Sequence, residues 1–434
     1  MRTLKRALFS LLTCLICLNT VATPTAIKTV ILFGDSLSDT GNDYAFSYLL
    51  SPIIKRIPSL KKQFPSGLIP SPYGRPYFRG RFSDGKNWFE DFANLFHVRD
   101  TELHHYGHLE NFAYGGAWAS TYTNHGKRGI TIFPLDIQEQ ILQFDLMHPF
   151  PYLHHNHVLA VIFIGANDYL TTDMSTPVST QVDHAVNAIK AGIKQLHNYH
   201  HITHFLLMGM PDLSQTPYAT HLSDEQRTRL RQLSVAHNQR LTQLSTQLNA
   251  QNSQLPYHTT FINWLSDHQE LNQHYQQYHF RYAENRPCHN GFPDQAPLQI
   301  AVSPTQFLTQ LLHNSLPAAN LWTQAPHATL PNGIQQRVDE SSQCTDLQPS
   351  GDHIYMDDVH PTRLAQCIIA LRTCSTIQSQ YTWVDGRGRE HALNCGTTAE
   401  GLTGLQQAAD QCYAALQAGD LRKNTLLPFE NQTH

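Results

Sequence analysis

A chain of 434 residues that is 41% hydrophobic and only 15% charged can bury one large core or two smaller ones, and it lacks the composition of a disordered protein. Its formal net charge is −4 and it has no Lys/Arg block, which argues against a nucleic-acid partner.

Residues 1–22 read as an export signal. Arg2, Lys5 and Arg6 make a positive start, Ala7 to Leu18 is an apolar stretch of 12 residues, and Thr20-Val21-Ala22 offers a small-residue cleavage site. Leu11-Leu12-Thr13-Cys14 superficially suggests a lipoprotein, but it comes too early and has Thr where a smaller residue belongs. The stretch is shorter than the roughly 20 residues a membrane span needs. No later segment approaches that length, so the expectation is a secreted, soluble protein, extracellular or periplasmic. Removing the three positive charges of the signal takes the net charge from −4 to −7. Cys14 and Cys17 leave with it, and the remaining six, Cys288, Cys344, Cys367, Cys374, Cys395 and Cys412, fit three disulfides in an oxidising compartment. None of these six forms Cys-x-x-Cys, which argues against a zinc ribbon or a thioredoxin-like site.

Short apolar runs then alternate with amphipathic stretches. Thr29 to Phe33 and Val158 to Ile164 are buried-strand candidates, with weaker ones at Phe205–Met208 and Thr259–Ile262. Between the second and third, Val182, Val186, Ile189, Ile193 and Leu196 predict a helix with one apolar face. Ser223-Asp-Glu-Gln226 reads as a capping box opening a second helix, with Leu230, Leu233, His237, Leu241, Leu244 and Leu248 on its stripe. The alternation predicts a parallel sheet covered on both faces, with sites at the carboxyl ends of its strands. Ser36, Gly165-Ala-Asn167-Asp168 and Met210-Pro-Asp212 each follow a predicted strand, at that same edge. Residues 281–350 form a Pro/Gln/Asn/Ser-rich excursion bracketed by Cys288 and Cys344. Residues 376–434 read as a small C-terminal extension carrying Cys395 and Cys412, helical around Leu405 to Leu416.

Two segments carry chemistry. Gly34-Asp35-Ser36-Leu37-Ser38 offers a serine at a strand tip, and Asp357-Asp358-Val359-His360-Pro361 offers a carboxylate and an imidazole. Serine needs a base within hydrogen-bond reach, and the imidazole needs an acid to fix its tautomer. The order Ser…Asp…His suits a serine hydrolase, but the serine is not in Gly-x-Ser-x-Gly, so the α/β-hydrolase elbow is not indicated. Taken singly, the first segment also reads as a plain strand-to-loop turn. The second also reads as acids at the start of a helix entered through Pro361.

In combination the segments resemble the GDSL, or SGNH, hydrolases. Gly34-Asp-Ser36-Leu is similar to that family's first block and Asn111-Phe-Ala-Tyr-Gly115-Gly116-Ala117 to its glycine block. Gly165-Ala-Asn167-Asp168 resembles its GxND block, and Asp357-x-x-His360 its last, all in order over residues 28–362. The resemblance implies a three-layer α/β/α, flavodoxin-like hydrolase domain over residues 27–375. It implies Ser36 as nucleophile, His360 as base with Asp357 as its partner, and an oxyanion hole from the Ser36 amide, Gly116 and Asn167. Gly115 stands as the alternative donor to Gly116, and Asp358 as the alternative to Asp357. No cofactor is implied.

Gly80-Arg-Phe-Ser-Asp-Gly-Lys-Asn-Trp88, Met210 to Pro217, His237-Asn238 and His360-Pro-Thr362 are similar to the lipolytic branch of that family. That branch holds secreted phospholipases, lysophospholipases and glycerophospholipid:cholesterol acyltransferases, and the likeness looks closest to the acyltransferases. It implies transfer of an acyl chain from phospholipid to Ser36 and on to water or a sterol, at membrane surfaces. The family resemblance also implies a disulfide-closed loop, Cys288 to Cys344, that restrains the enzyme until a protease cuts it; a plain stapled loop is the alternative. Rival functions are a carboxylester or carbohydrate esterase on the same fold and a catalytically silent binding protein.

The 27 histidines include spaced pairs at His197/His201 and His200/His204 and adjacent pairs at His104-His105 and His154-His155. No acidic or cysteine ligand accompanies them at fixed spacing, so they are expected to be solvated surface and no metal site is predicted. The aromatics from Tyr73 to Phe89 suit either a lipid-contacting surface or ordinary packing.

Overall fold

The computed structural model describes residues 23–43, 77–96, 109–120, 130–131, 136–150, 157–170, 174–251, 254–283, 286–289, 299–300, 351–385, 387–397 and 401–421. The predicted signal (residues 1–22), Cys344, Tyr73, His104-His105 and His154-His155 lie outside these residues, as does most of the excursion 281–350.

Among the described residues five strands form the central sheet: β2 (Thr29–Gly34), β3 (Leu109–Asn111), β5 (Val158–Phe163), β6 (His204–Met208) and β7 (His258–Ile262). All neighbours are parallel, in the spatial order β3-β2-β5-β6-β7. This is the flavodoxin-like order, in which the first strand lies between the second and the third. The continuous apolar runs of β2 and β5 are explained by burial on both faces. In β2, Ile31 and Phe33 face one core while Val30 and Leu32 face the other. In β5, Val158, Ala160 and Ile162 alternate with Leu159, Val161 and Phe163 between the same two cores.

Helices cover each face. One core takes α2 (Ile137–Met147), α4 (Val178–His200) and α6 (Asp224–Asn249). The predicted stripes Val182–Leu196 and Leu230–Leu248 are the buried faces of α4 and α6. Ser223 and Gln226 close the predicted capping box at the start of α6. The other core takes α1 (Trp88–Leu95) and α8 (Arg363–Ile377). The result is a three-layer α/β/α fold with a parallel central sheet. Between these lie the short α3 (Asn167–Leu170) and α5 (Pro217–Thr220), and α7 (Trp264–Gln273) after β7.

The chain beyond α8 folds back on the body. β9 (Tyr381–Val384) lies between β1 (Thr25–Ile27), to which it is parallel, and β10 (Glu390–Ala392), to which it is antiparallel. The helix α9 (Gly401–Gln417) shares a third core with the outer face of α8. Disulfides Cys367–Cys412 and Cys374–Cys395 tie this segment to α8, a pairing the sequence left open. A two-residue ribbon pairs β4 (Ile130–Thr131) with β8 (Gln299–Ile300). Among the described residues no helix is long and apolar enough to cross a membrane.

Candidate active site

The carboxyl ends of β2 and β5, where the strand order reverses, carry Ser36 and Asn167 side by side in the fold. Gly34 ends β2 under tight control. The side-chain amide of Gln140 on α2 accepts from the Gly34 amide at 2.9 Å and donates to its carbonyl at 2.8 Å. A Cβ at Gly34 would sit 2.9 Å from the Phe163 carbonyl oxygen, so a larger residue would spread β2 from β5.

The predicted serine, histidine and aspartate meet. The Ser36 hydroxyl donates to His360 Nε2 at 2.8 Å, and His360 Nδ1–H donates to Asp357 Oδ2 at 2.8 Å. A carboxylate only accepts, so Asp357 fixes the proton on Nδ1 and leaves the Nε2 lone pair for serine. All three residues are buried. Asp357 Oδ1 also accepts the amides of Val359 and His360, at 2.9 and 2.8 Å, which folds the segment into a tight turn. The turn is closed by the Met356 amide on the His360 carbonyl at 2.7 Å. Asp358, the alternative acid, points elsewhere, with His221 Nε2 3.8 Å from its Oδ2.

The glycine block lies against the serine loop through buried polar contacts. The Gly115 amide donates to Asp39 Oδ2 at 3.1 Å, so Gly115 is committed inward. Gly116 adopts φ +73°, a left-handed conformation that glycine takes without strain, and among the described residues no acceptor takes its amide. Asn167 donates one side-chain N–H to the Ala117 carbonyl at 2.9 Å, which leaves its second N–H available. Asp168 accepts the amides of Ala119 and Ser120, at 2.7 and 2.9 Å, and binds the glycine block to the Asn167 turn. That turn needs Gly165: its φ is +127°, and a Cβ there would lie 2.9 Å from the ring of His237. Burial lowers the His237 pKa to about 3, so the ring is neutral, and its Nδ1 accepts the Tyr169 hydroxyl at 2.8 Å.

Burial also lifts the carboxyls around the serine. Asp35 rises to about 7, opposed by the Leu37 amide and the nearby His360, and Asp168 rises to about 6, opposed by its bonds to Ser120 and Ala119. Ser36, Asn167 and His360 open on a cavity of about 990 Å³, part of it open to solvent. Phe163, Leu213, Trp264, Leu271, Ile354 and Ile369 supply apolar walls.

One sequence expectation needs correction. His197, His200 and His204 are buried rather than solvated. His197 stacks on Tyr257, His200 pairs with Asp145, and His204 lies on β6 stacked against His258. Their apparent helical spacing breaks because α4 ends at His200. Among the described residues no group of three or more His, Cys, Asp or Glu is placed to hold a metal ion. Tyr77, Phe82, Trp88 and Phe89 are core residues and none lines the cavity. Two of them nevertheless serve the site: Tyr77 donates to Asp357 Oδ2 at 2.6 Å, and the Phe82 ring lies 5.1 Å from that of His360. Sequence reading missed Tyr77, Asp39 and Gln140. Asp39 carried a signal, since it sits in the serine block, whereas Tyr77 is 280 positions from its partner and carried none.

A parallel three-layer fold with such a site defines a class, and comparison with known proteins specifies it. The family model for GDSL-like lipases/acylhydrolases matches residues 30–373, most of the chain, and the chain belongs to that family. The secreted effector protein SseJ of Salmonella typhimurium is 32% identical over 217 residues, 49% of this chain and 41% of that protein. The phosphatidylcholine-sterol acyltransferase of Aeromonas hydrophila is 30% identical over 232 residues, 51% of this chain and 56% of that protein. The chain thus spans about half the length of these relatives.

Proposed function

We propose that the chain is a secreted acylhydrolase and acyltransferase that moves an acyl chain from a glycerophospholipid or lysophospholipid to water or to a sterol such as cholesterol. The observation that carries this reading is the Ser36–His360–Asp357 relay opening on an apolar cavity. Similarity to a phosphatidylcholine-sterol acyltransferase supports the substrate class. The disulfides Cys367–Cys412 and Cys374–Cys395 support an oxidising compartment, and with it export through residues 1–22.

In this mechanism Ser36 Oγ attacks the ester carbonyl carbon while its proton passes to His360 Nε2. Asp357 stabilises the imidazolium. The oxyanion is met by the amides of Ser36 and Gly116 and the second side-chain N–H of Asn167. Collapse breaks the ester C–O bond, and His360 returns the proton to the departing alkoxide. Water or a sterol hydroxyl then gives its proton to His360 as its oxygen attacks the acyl-serine carbonyl. A second collapse releases fatty acid or sterol ester and restores Ser36.

The test incubates the purified protein with mixed phospholipids, with and without cholesterol, and scores fatty acid, lysophospholipid and cholesterol ester. Wild type releases fatty acid, and folded Ser36→Ala releases none. Activity surviving in Ser36→Ala removes the nucleophile assignment. Activity confined to short soluble esters points to a carboxylester esterase instead. We also propose that a protease cut between Cys288 and Cys344 raises activity severalfold; Cys288 is disulfide-bonded, and Cys344 lies outside the described residues. A verified nick that leaves activity unchanged marks the loop as purely structural.

A further inference from the structure

The two oxygens of Asp357 are held differently. Oδ1 takes the amides of Val359 and His360 and lies 3.0 Å from His360 Nδ1, all contacts made within its own turn. Oδ2, the oxygen closer to His360 Nδ1, has a second donor, the Tyr77 hydroxyl at 2.6 Å. Tyr77 comes from a different part of the chain and is itself buried. A carboxylate turns easily about its terminal torsion, because that sp³–sp² rotor has broad wells. The two amides on Oδ1 and the two donors on Oδ2 together set its direction, and the Tyr77 hydroxyl is the one that comes from outside the turn.

The ring of Tyr77 is also fixed independently of its hydroxyl. It packs with Met356 and Cys288. The amides of Cys288 and His289 donate to the carbonyls of Tyr355 and Met356, at 3.0 and 2.9 Å, which lays this segment along the approach to the catalytic turn. Burial and the charge of Asp357 raise the Tyr77 phenol well above its ordinary value, so it remains a donor. The hydroxyl therefore sits on a ring whose place is determined by packing, which is what a steering contact requires.

We propose that Tyr77 is a positioning residue for catalysis, acting through Asp357 to keep Oδ2 on His360 Nδ1. The inference rests on the reading of Ser36, His360 and Asp357 as the catalytic set.

The test is Tyr77→Phe, which keeps the ring and removes the hydroxyl, assayed on a soluble p-nitrophenyl ester so that no lipid preference enters. Rates are expressed per site titrated with a fluorophosphonate, so unfolded chain does not count. We expect kcat to fall about 10-fold with KM changed by less than about twofold, the signature of a contact that matters in the transition state. Asp357→Asn alone should cost about 10³–10⁴ in kcat. Adding Tyr77→Phe to it should then cost little more, because the carboxylate that the hydroxyl steers is already gone. Unchanged kcat in Tyr77→Phe overturns the proposal. So does an equal fold-loss in the wild-type and Asp357→Asn backgrounds, the pattern of a general structural role. Turnover by Ser36→Ala sinks the underlying triad reading instead, so the two failures are separable.

Discussion

Asp39 accepts the amide of Gly115 across the gap between the serine loop and the glycine block, at 3.1 Å. The same carboxylate takes the amides of Gly41 and Asn42, at 2.7 and 2.6 Å, so one side chain shapes both loops that flank the serine. With the Gly115 amide committed, Gly116 is the glycine of the pair that suits the proposed oxyanion hole.

This arrangement predicts the effect of Asp39→Asn. Asn has one acceptor oxygen where Asp39 has two, so either the bonds to Gly41 and Asn42 or the bond to Gly115 must be given up. The Gly115–Gly116 peptide should then drift from its place. We expect kcat on a soluble ester to fall about 10–100-fold with a smaller change in KM, consistent with partial loss of one oxyanion donor. Steady-state kinetics on the folded variant check this, and wild-type kcat would detach Asp39 from the hole.

Asn167 gives a second prediction. Its side chain both donates to the Ala117 carbonyl and offers its other N–H to the site. Asn167→Ala should lower kcat by about 10²–10³, the usual cost of one oxyanion donor. The reactive serine itself should persist, so labelling by a fluorophosphonate should be slowed rather than abolished. Full-rate hydrolysis by Asn167→Ala would exclude it from the hole.

Much of this was legible in the sequence, for physical reasons. β2 and β5 read as continuous apolar runs because both of their faces are buried, and α4 and α6 announced themselves through single apolar stripes. β3 was silent because a three-residue strand is too short to show a period. The pairing of β1 with β9 was silent because it joins opposite ends of the chain. Ser36, Gly116, Asn167, Asp357 and His360 were marked by residue type within short blocks. Tyr77 acts through one long-range hydrogen bond and Gln140 through two to a single residue, which leave no local pattern. The histidines misled because polarity alone predicts solvent, whereas His197, His200 and His204 are buried by stacking and by pairing with neighbours.

His204 yields a pH prediction. Burial, and the repulsion of His258 and His157, lower its pKa from 6.5 to about 4. The folded state therefore holds this ring neutral where the unfolded chain would protonate it. Its unfavourable contribution is absent above pH 6.5 and grows as pH falls from 6.5 towards 4. Each pH unit within that window costs about 1.4 kcal/mol. His204→Phe keeps an aromatic against His258 and Tyr381 but cannot protonate. Urea unfolding at pH 7 and pH 4.5 should show the variant gaining about 1–3 kcal/mol relative to wild type on acidification. A pH-independent difference between the two proteins would show that His204 does not titrate on unfolding.

The disulfide Cys367–Cys412 makes the last prediction, because it acts on the helix that follows the catalytic turn. Cys367 sits in the first half of α8, which starts three positions beyond His360. Cys412 lies on α9, and the bond closes a span of 45 residues. In the loop-entropy account a closure of that size is worth roughly 3–4 kcal/mol, mostly by restricting the unfolded chain. The helix is held in place by other means as well. Its Arg363 forms a buried ion pair with Asp91, and the Arg363 amide donates to Asp84 Oδ1 at 2.6 Å. The double substitution Cys367→Ala/Cys412→Ala should therefore lower Tm by several degrees yet leave kcat at 25 °C within about twofold of wild type. Differential scanning calorimetry and ester kinetics on the same preparation separate these effects. A large loss of kcat with Tm unchanged would mean that the segment beyond α8 shapes the active site directly, instead of bracing the helix behind it.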